Sequence, residues 1–283
     1  MLIPAILLLG MITVYPFVIS VGLSFFDYSF LKREINFVGL KNYIDILSEG
    51  KYLSSIRFTF LWTIWNVLLI GIMGFITSLL LRQRFFGRQV IKATMLIPWI
   101  LPQVVTGFTF NLMMAQEIGI LTRFLFLLGL VPADFSWFID PKLAAAAVVV
   151  ANSWRGFPFV ALMLFAKMQS IPSSLMEAAQ IDGANSIQVF RHIIINYIKP
   201  VVATCLALTF IWSFNAFDII KVMTGGGPLE GTSTLALRLQ REAFDFMQIS
   251  RACTMAVCTF VLLLAIAGAG IVLRKLFLGR KNT

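Results

Sequence analysis

The stretch E-A-A-Q-I-D-G-A, Glu177 to Ala184, lies between two long apolar segments and holds several local signals at once. Ser174 precedes Glu177 by three residues. That is the spacing of a capping box, in which the hydroxyl takes the amide three residues on and the glutamate reaches back. A helix beginning at Leu175 is expected. Ala178 and Ala179 favour helix and are too small to hold a partner surface away. Gly183 should end that helix in a left-handed turn that glycine adopts cheaply. Ser186 should start a second helix, with Ile187, Phe190 and Ile194 on one face. The expected product is a helix-turn-helix lying under whatever the apolar segments build.

Composition says what they build. The chain has 283 residues, 59% hydrophobic and 13% charged, and soluble domains carry about twice that charge. Six apolar runs, roughly 3–26, 58–81, 93–114, 143–166, 201–222 and 252–273, reach the length of about 20 residues that a spanning helix needs. Lipid leaves backbone groups no water, so each run must be helical or belong to a closed barrel. Runs this long without alternation exclude the barrel. The fold class is all-α: a bundle of six transmembrane helices, read as one domain over 1–283. The first run is too long for a signal-peptide core and lacks a charged leader, so it reads as an anchor that stays.

Charge placement orients the bundle. Arg82, Arg84, Arg88 and Lys92 follow the second run; Lys167, Arg191 and Lys199 follow the fourth; Arg274, Lys275, Arg280 and Lys281 end the chain. The remaining loops mix bases with acids: Asp27, Glu34, Asp45 and Glu49; Glu117, Asp134 and Asp140; Glu230, Glu242 and Asp245. Basic loops stay inside, so both termini are expected to be cytoplasmic. The net charge of +10 is then topology and lipid contact rather than a nucleic-acid surface. Cys205, Cys253 and Cys258 sit in apolar runs without metal-site spacing and read as small core residues. His192 is the lone histidine and makes no metal site.

Polar residues inside the runs are costly and face a cavity or one another. They are Asn66, Gln103, Asn111, Asn152, Arg155, Asn215 and Asp218. Trp212, Asn215 and Asp218 follow at three-residue intervals, so on a continuous helix they share a face. Together with Asn152 and Arg155 they are candidates to line a pathway through the bundle, offering amides, charges and an aromatic ring. Helix-to-helix hydrogen bonding accounts for the same residues equally well, and Arg155 and Asp218 can also pair with each other. The glycines of T-G-G-G-P, Thr224 to Pro228, permit a tight turn after the fifth run. No phosphate loop, nucleophile elbow or metalloprotease motif occurs, so the chain is not expected to be an enzyme and any energy must come from another chain.

Glu177, Ala178 and Ala179, then Gly183, then Ile193 ten residues on, match a known spacing. The run from Pro172 to Pro200 resembles the loop by which permease subunits of binding-protein-dependent ABC importers grip their ATPase, in its sugar-uptake, maltose-type form. Phe37 to Tyr43 (F-V-G-L-K-N-Y), Pro98 and Pro102, Trp154 to Phe159 (W-R-G-F-P-F) and Gly225, Gly226, Gly227 and Pro228 carry the likeness along most of the chain. Where the family has leucine and proline, this chain has Ile195 and Asn196; Pro200 is retained. The resemblance implies a type I importer permease in the cell membrane. It implies a coupling loop at about 168–200, with Glu177, Ala178, Ala179, Asp182, Gly183 and Ala184 at the ATPase. It implies a second permease, a dimeric ATPase that holds the ATP and magnesium, an external solute-binding protein and a carbohydrate, with no cofactor on this chain. Two rivals stay open. One is an importer of the same fold for glycerol phosphate or another small solute. The other is an ion-driven secondary transporter or channel, which would need coupling carboxylates in the membrane, where Asp218 is nearly alone.

Overall fold

The computed structural model describes residues 3–29, 35–83 and 85–279, without the side chains of 5 and 271–279. Glu34, Arg84, Arg280 and Lys281 lie outside the described residues, as do the side chains of Arg274 and Lys275. Helix α1 runs over 3–23 with a π turn at Gly10–Val14. A short hairpin follows, β1 (Phe26–Tyr28) antiparallel to β2 (Ile35–Phe37), with Asp27 opposite Asn36. Then come α2 (Lys41–Ser48), α3 (Gly50–Arg82), α4 (Arg88–Ile100), α5 (Gln103–Met113), α6 (Ile120–Leu127) and α7 (Pro141–Gln169). They are followed by α8 (Ser173–Ile181), α9 (Ser186–Phe214), α10 (Asp218–Met223), α11 (Leu235–Gln240) and α12 (Ile249–Gly279).

Five of these helices are long and apolar enough to cross a bilayer, and α4 with α5, meeting at 98°, make the sixth crossing if counted as one broken span. The protein is a multi-pass α-helical membrane protein. The bend has a local cause. Proline disfavours helical geometry in the residue before it, and Leu101, before Pro102, is extended at ψ 134°. The all-α expectation missed the β1–β2 hairpin, whose strands of three residues are too short to show an alternation. It also misplaced the fifth run: α9 begins at Ser186 and ends at Phe214 rather than spanning 201–222. At α7 the start is set by Asp140, whose Oδ1 accepts from the amides of Lys142 at 2.8 Å and Leu143 at 3.1 Å, with Pro141 next to it.

The described residues form two compact units, those within 3–56 together with 235–279, and those within 57–234. In the first, α12 packs on α1 and α2. Phe17 meets Phe260 edge-on at 4.8 Å. Asn42 donates to the carbonyls of Ser24 and Phe26, which fixes the entry to the hairpin. Arg238 and Arg251 both bond the Glu49 carboxylate, and Glu242 lies 3.8 Å from Arg238 and 3.6 Å from Arg251. Burial pushes the Glu242 carboxyl up, and Arg251 and Arg238 pull it back towards the charged form.

The second unit is built on close approach of α3 to α7. A Cβ on Gly74 would lie 2.6 Å from Val160 Cβ, and one on Gly156 would lie 2.6 Å from Ile70 Cδ1. Small residues at such crossings let helix backbones meet without the hydrophobic drive that water supplies. Ile70, Val160, Leu164, Met168, Ile194, Ile198 and Cys205 close one core there. Gly74→Val should therefore cost about 1–3 kcal/mol through overpacking, read as a lower thermal midpoint of the purified protein. Gly71→Ala, whose methyl meets only the tip of Leu206, should leave the midpoint nearly unchanged. An unchanged midpoint for Gly74→Val would contradict this crossing.

Candidate functional site

The hairpin 173–189 is assembled from signals that differ from those expected at its start and agree at its end. Pro172, at φ −59° and ψ 137°, is the N-cap of α8, and the Leu175 amide already bonds the Pro172 carbonyl at 3.2 Å. The helix thus begins at Ser173, two residues before the expected Leu175. Ser174 and Glu177 are both inside it and form no capping box. Proline's fixed φ is pre-organised for a helix start, and it takes that role from the serine. At the other end Gly183 sits at φ +73°. Its amide bonds the Gln180 carbonyl at 3.1 Å and the Ala184 amide bonds that of Ala179 at 2.9 Å. This 5→2 and 6→1 pair is a Schellman motif. The capping box is one turn later. The Gln188 amide donates to Asn185 Oδ1 at 2.9 Å, and the Asn185 amide donates to Gln188 Oε1 at 2.8 Å. The N-x-x-Q spacing that announces it is legible in the sequence.

Ser186 does start a helix, but not a separate one. It runs through a π turn at Phe190–Ile194 into the fifth span, unbroken at Asn196 and past Pro200. Asn196 donates to the His192 carbonyl at 2.7 Å, and His192 Nδ1 lies 3.0 Å from the Gln188 carbonyl. Of the expected face, Ile194 is buried and Phe190 half-buried against Phe75, while Ile187 is 76% exposed. Met176 and Val189 pack the hairpin onto the core of α3, α7 and α9, and Tyr197 donates to the Ser170 carbonyl at 3.2 Å. What remains outside is Glu177, Ala178, Asp182 and Gly183, with Ala179 and Ala184 half-covered. Ile181, next to Asp182 in the chain, is 87% exposed, and Ile187 and Leu175 of the same hairpin are exposed as well.

The membrane-embedded polar residues divide. Asn152 and Arg155 meet Trp212 around a small cavity of about 40 Å³, with Trp99, Gln103 and Ser213. That is room for about one water, not a sugar ring. Asn152 donates to Asn66 Oδ1 at 2.6 Å, Asn66 donates to the Trp62 carbonyl at 2.8 Å, and Trp62 Nε1 donates to the Ser213 carbonyl at 2.8 Å. This chain ties α3, α7 and α9, so helix-to-helix bonding accounts for Asn66 and Asn152. Arg155 Nε donates to the Leu101 carbonyl at 3.3 Å, at the bend of α4 into α5. Trp212 and Trp99 both pack on Phe159.

Asn215 and Asp218 do not line that cavity. Helix α9 stops at Phe214, Asn215 is its C-cap and bonds the Ile211 carbonyl, and Asp218 opens α10 after an irregular Phe217. The shared face expected for Trp212, Asn215 and Asp218 needs a continuous helix, and the chain breaks there. Asp218 acts on the Arg155 guanidinium by its charge rather than through a hydrogen-bonded pair; it lies in the first turn of α10, where a carboxylate is favoured.

The turn after α10 is held from within. Gly225 and Gly226 take φ +58° and +89°. Thr224 Oγ1 and Thr232 Oγ1 are 2.7 Å apart, and Thr232 donates to the Gly227 carbonyl at 2.7 Å. Leu229, next to Pro228, is 93% exposed.

With this geometry in hand, comparison with known proteins is informative. Residues 67–277 match the family model described as "Binding-protein-dependent transport system inner membrane component". The chain is 36% identical to a trehalose/maltose transport system permease protein of Thermococcus litoralis over 229 residues, 81% of this chain and 77% of that one. It is 33% identical to a sulfoquinovosyl glycerol transport system permease protein of Agrobacterium fabrum over 272 residues, 93% of this chain and 85% of the other. Among solved structures, a bacterial ABC transporter involved in import of the acidic polysaccharide alginate shares the fold, at TM-score 0.82 and 18% identity over 97% of this chain and 94% of that one. The matched stretch contains both the bent third span and the hairpin, and it places the chain: it belongs to the family of binding-protein-dependent transport system inner membrane components.

Proposed function

We propose that this chain is one permease subunit of an ATP-driven importer for a carbohydrate, paired with a second permease and driven by a dimeric ABC ATPase that docks on the 173–189 hairpin. The observation that carries the reading is the joining of an exposed apolar tip, Ile181 and Ile187, to the transmembrane core through Met176, Val189 and Ile194. A tip with no such anchor would move without moving the helices. ATP and magnesium belong to the ATPase in this reading, and an external binding protein delivers the substrate. A carbohydrate is favoured by the relatives, which are named for trehalose/maltose and sulfoquinovosyl glycerol transport. The cavity at Arg155, Asn152 and Trp212 is a fragment of the pathway, completed by the second permease and opened when the bundle changes state. The turn at Gly225, Gly226, Gly227 and Pro228, ending at exposed Leu229, is the surface offered to the binding protein.

The coupling role rests on Gly183. A Cβ there meets nothing within 4 Å, so substitution acts through the positive φ alone. A β-branched residue resists that conformation, while asparagine tolerates it. Gly183→Val should leave the complex assembled and lower the stimulation of ATP hydrolysis by loaded binding protein about tenfold, the equivalent of ~1.4 kcal/mol of lost coupling. Gly183→Asn should retain most of it. Equal, wild-type stimulation in both variants would overturn the coupling role.

Orientation is tested separately. In a cysteine-free background, an impermeant thiol reagent applied to intact cells should label Leu229→Cys and leave Gln83→Cys untouched until the membrane is opened. The reverse pattern would place the hairpin on the outer side and end the ATPase reading.

A further inference from the structure

The basic segment that follows α3 has a feature the transport reading does not use. Arg88 and Lys92, one helical turn apart on α4, both lie over the Phe165 ring, with the guanidinium carbon at 4.9 Å and the ammonium at 4.2 Å from its centre. Each cation gains from the ring face, but like charges four residues apart repel. Their repulsion has no answer within this part of the chain. No acid occurs between Glu49 and Glu117, nor between Asp140 and Glu177, so α3, α4 and α7 carry none. Arg88 Nε is buried and has no hydrogen-bond partner. Both cations border an open cavity of about 560 Å³, together with Phe85, Phe86, Gln89 and Gln169.

The rim of that cavity is inverted relative to a water-facing surface. On it Phe86 is fully exposed and Val90 largely so beside exposed Gln89 and Gln169, with exposed Ile91 next to Val90 in the chain, while Arg88 and Lys92 are half-buried. A helix at a water boundary turns its cations out and its apolar side in. Here the apolar side faces outward at the point where α3 leaves the apolar run and α4 enters the next, which is the depth of lipid headgroups. The occupant must therefore carry an anion for the buried pair and apolar length for the outer face.

We propose that Arg88 and Lys92 form a binding site for one anionic phospholipid, with its phosphodiester between the two cations and an acyl chain along Phe86, Val90 and Ile91. Basic pockets between membrane helices take such headgroups, at about 1 kcal/mol for each cation near the surface. The site is independent of what the protein transports.

The test uses the intact purified transporter in neutral detergent, titrated with dioleoyl phosphatidylglycerol and read by native mass spectrometry. Wild type should bind it in preference to dioleoyl phosphatidylcholine. The double variant R88Q/K92Q should weaken the tightest phosphatidylglycerol site roughly thirty-fold, two cations' worth. R88K/K92R, which keeps both charges, should hold it within about threefold. K92Q alone should give an intermediate loss, so a poorly folding double variant does not end the test. Unchanged phosphatidylglycerol affinity in R88Q/K92Q overturns the proposal. Displacement of the lipid by inorganic phosphate at equal concentration identifies a free-anion site and overturns the lipid. A photoreactive residue at Phe86 that captures another protein subunit rather than lipid assigns the surface to that subunit and overturns it as well.

Discussion

Hydrocarbon offers a released backbone carbonyl no water, and an unsatisfied one costs several kcal/mol. Three such carbonyls organise the unit 57–234. Leu101, freed by the bend at Pro102, takes Arg155 Nε at 3.3 Å. Ser213, at the end of α9, takes Trp62 Nε1 at 2.8 Å beside the Ala216 amide at 3.1 Å. Met223, at the end of α10, takes Asn111 Nδ2 at 2.8 Å. Every donor comes from a helix remote in sequence, so each break in one helix becomes a bond to another. The broken third span and the short α10 persist because α7 and α5 answer them.

The same pairing explains why polar residues in the core do not by themselves mark a substrate site. Asn66, Asn152 and Trp62 are occupied by one another and by α9. Arg155 differs, since it bonds the bend and also borders the cavity with Gln103 and Trp212. A change of angle between α4 and α5 would alter that cavity directly. In the proposed importer this links the gate to the helices that the hairpin moves, because α7 carries both Arg155 and, at its end, Met168 in the core beneath Met176.

The sequence showed the spans because each must be apolar for about 20 residues, and it showed Gly183 because a left-handed helix end has little choice of residue. It misled where two local rules competed. At the start of α8, Pro172 and Ser174 both signal an N-terminus, and the rigid φ of proline prevailed. At Phe190–Ile194 the π turn inserts one residue into a helix without any compositional mark. The break after Phe214 was invisible because the apolar run continues through it, so Asn215 and Asp218 were assigned a face that the chain never builds. The meeting of Gln103, Asn152, Arg155 and Trp212 depends on the bend and on close packing at Gly74 and Gly156, a long-range geometry that no spacing encodes. The inverted amphipathy at Arg88 and Lys92 was hidden for a related reason: the residue types showed a basic loop, and only Phe165 on α7 shows which way the cations turn.

The claim that joins these observations is that the 173–189 hairpin carries force between an ATPase and the bundle. Amide hydrogen exchange on the paired permeases, with and without the ATPase subunit, tests it most directly. Slowed exchange centred on Ile181 to Ile187 when the ATPase is added is the result this account predicts. Unchanged exchange across that stretch, with protection arising on another loop, would contradict it.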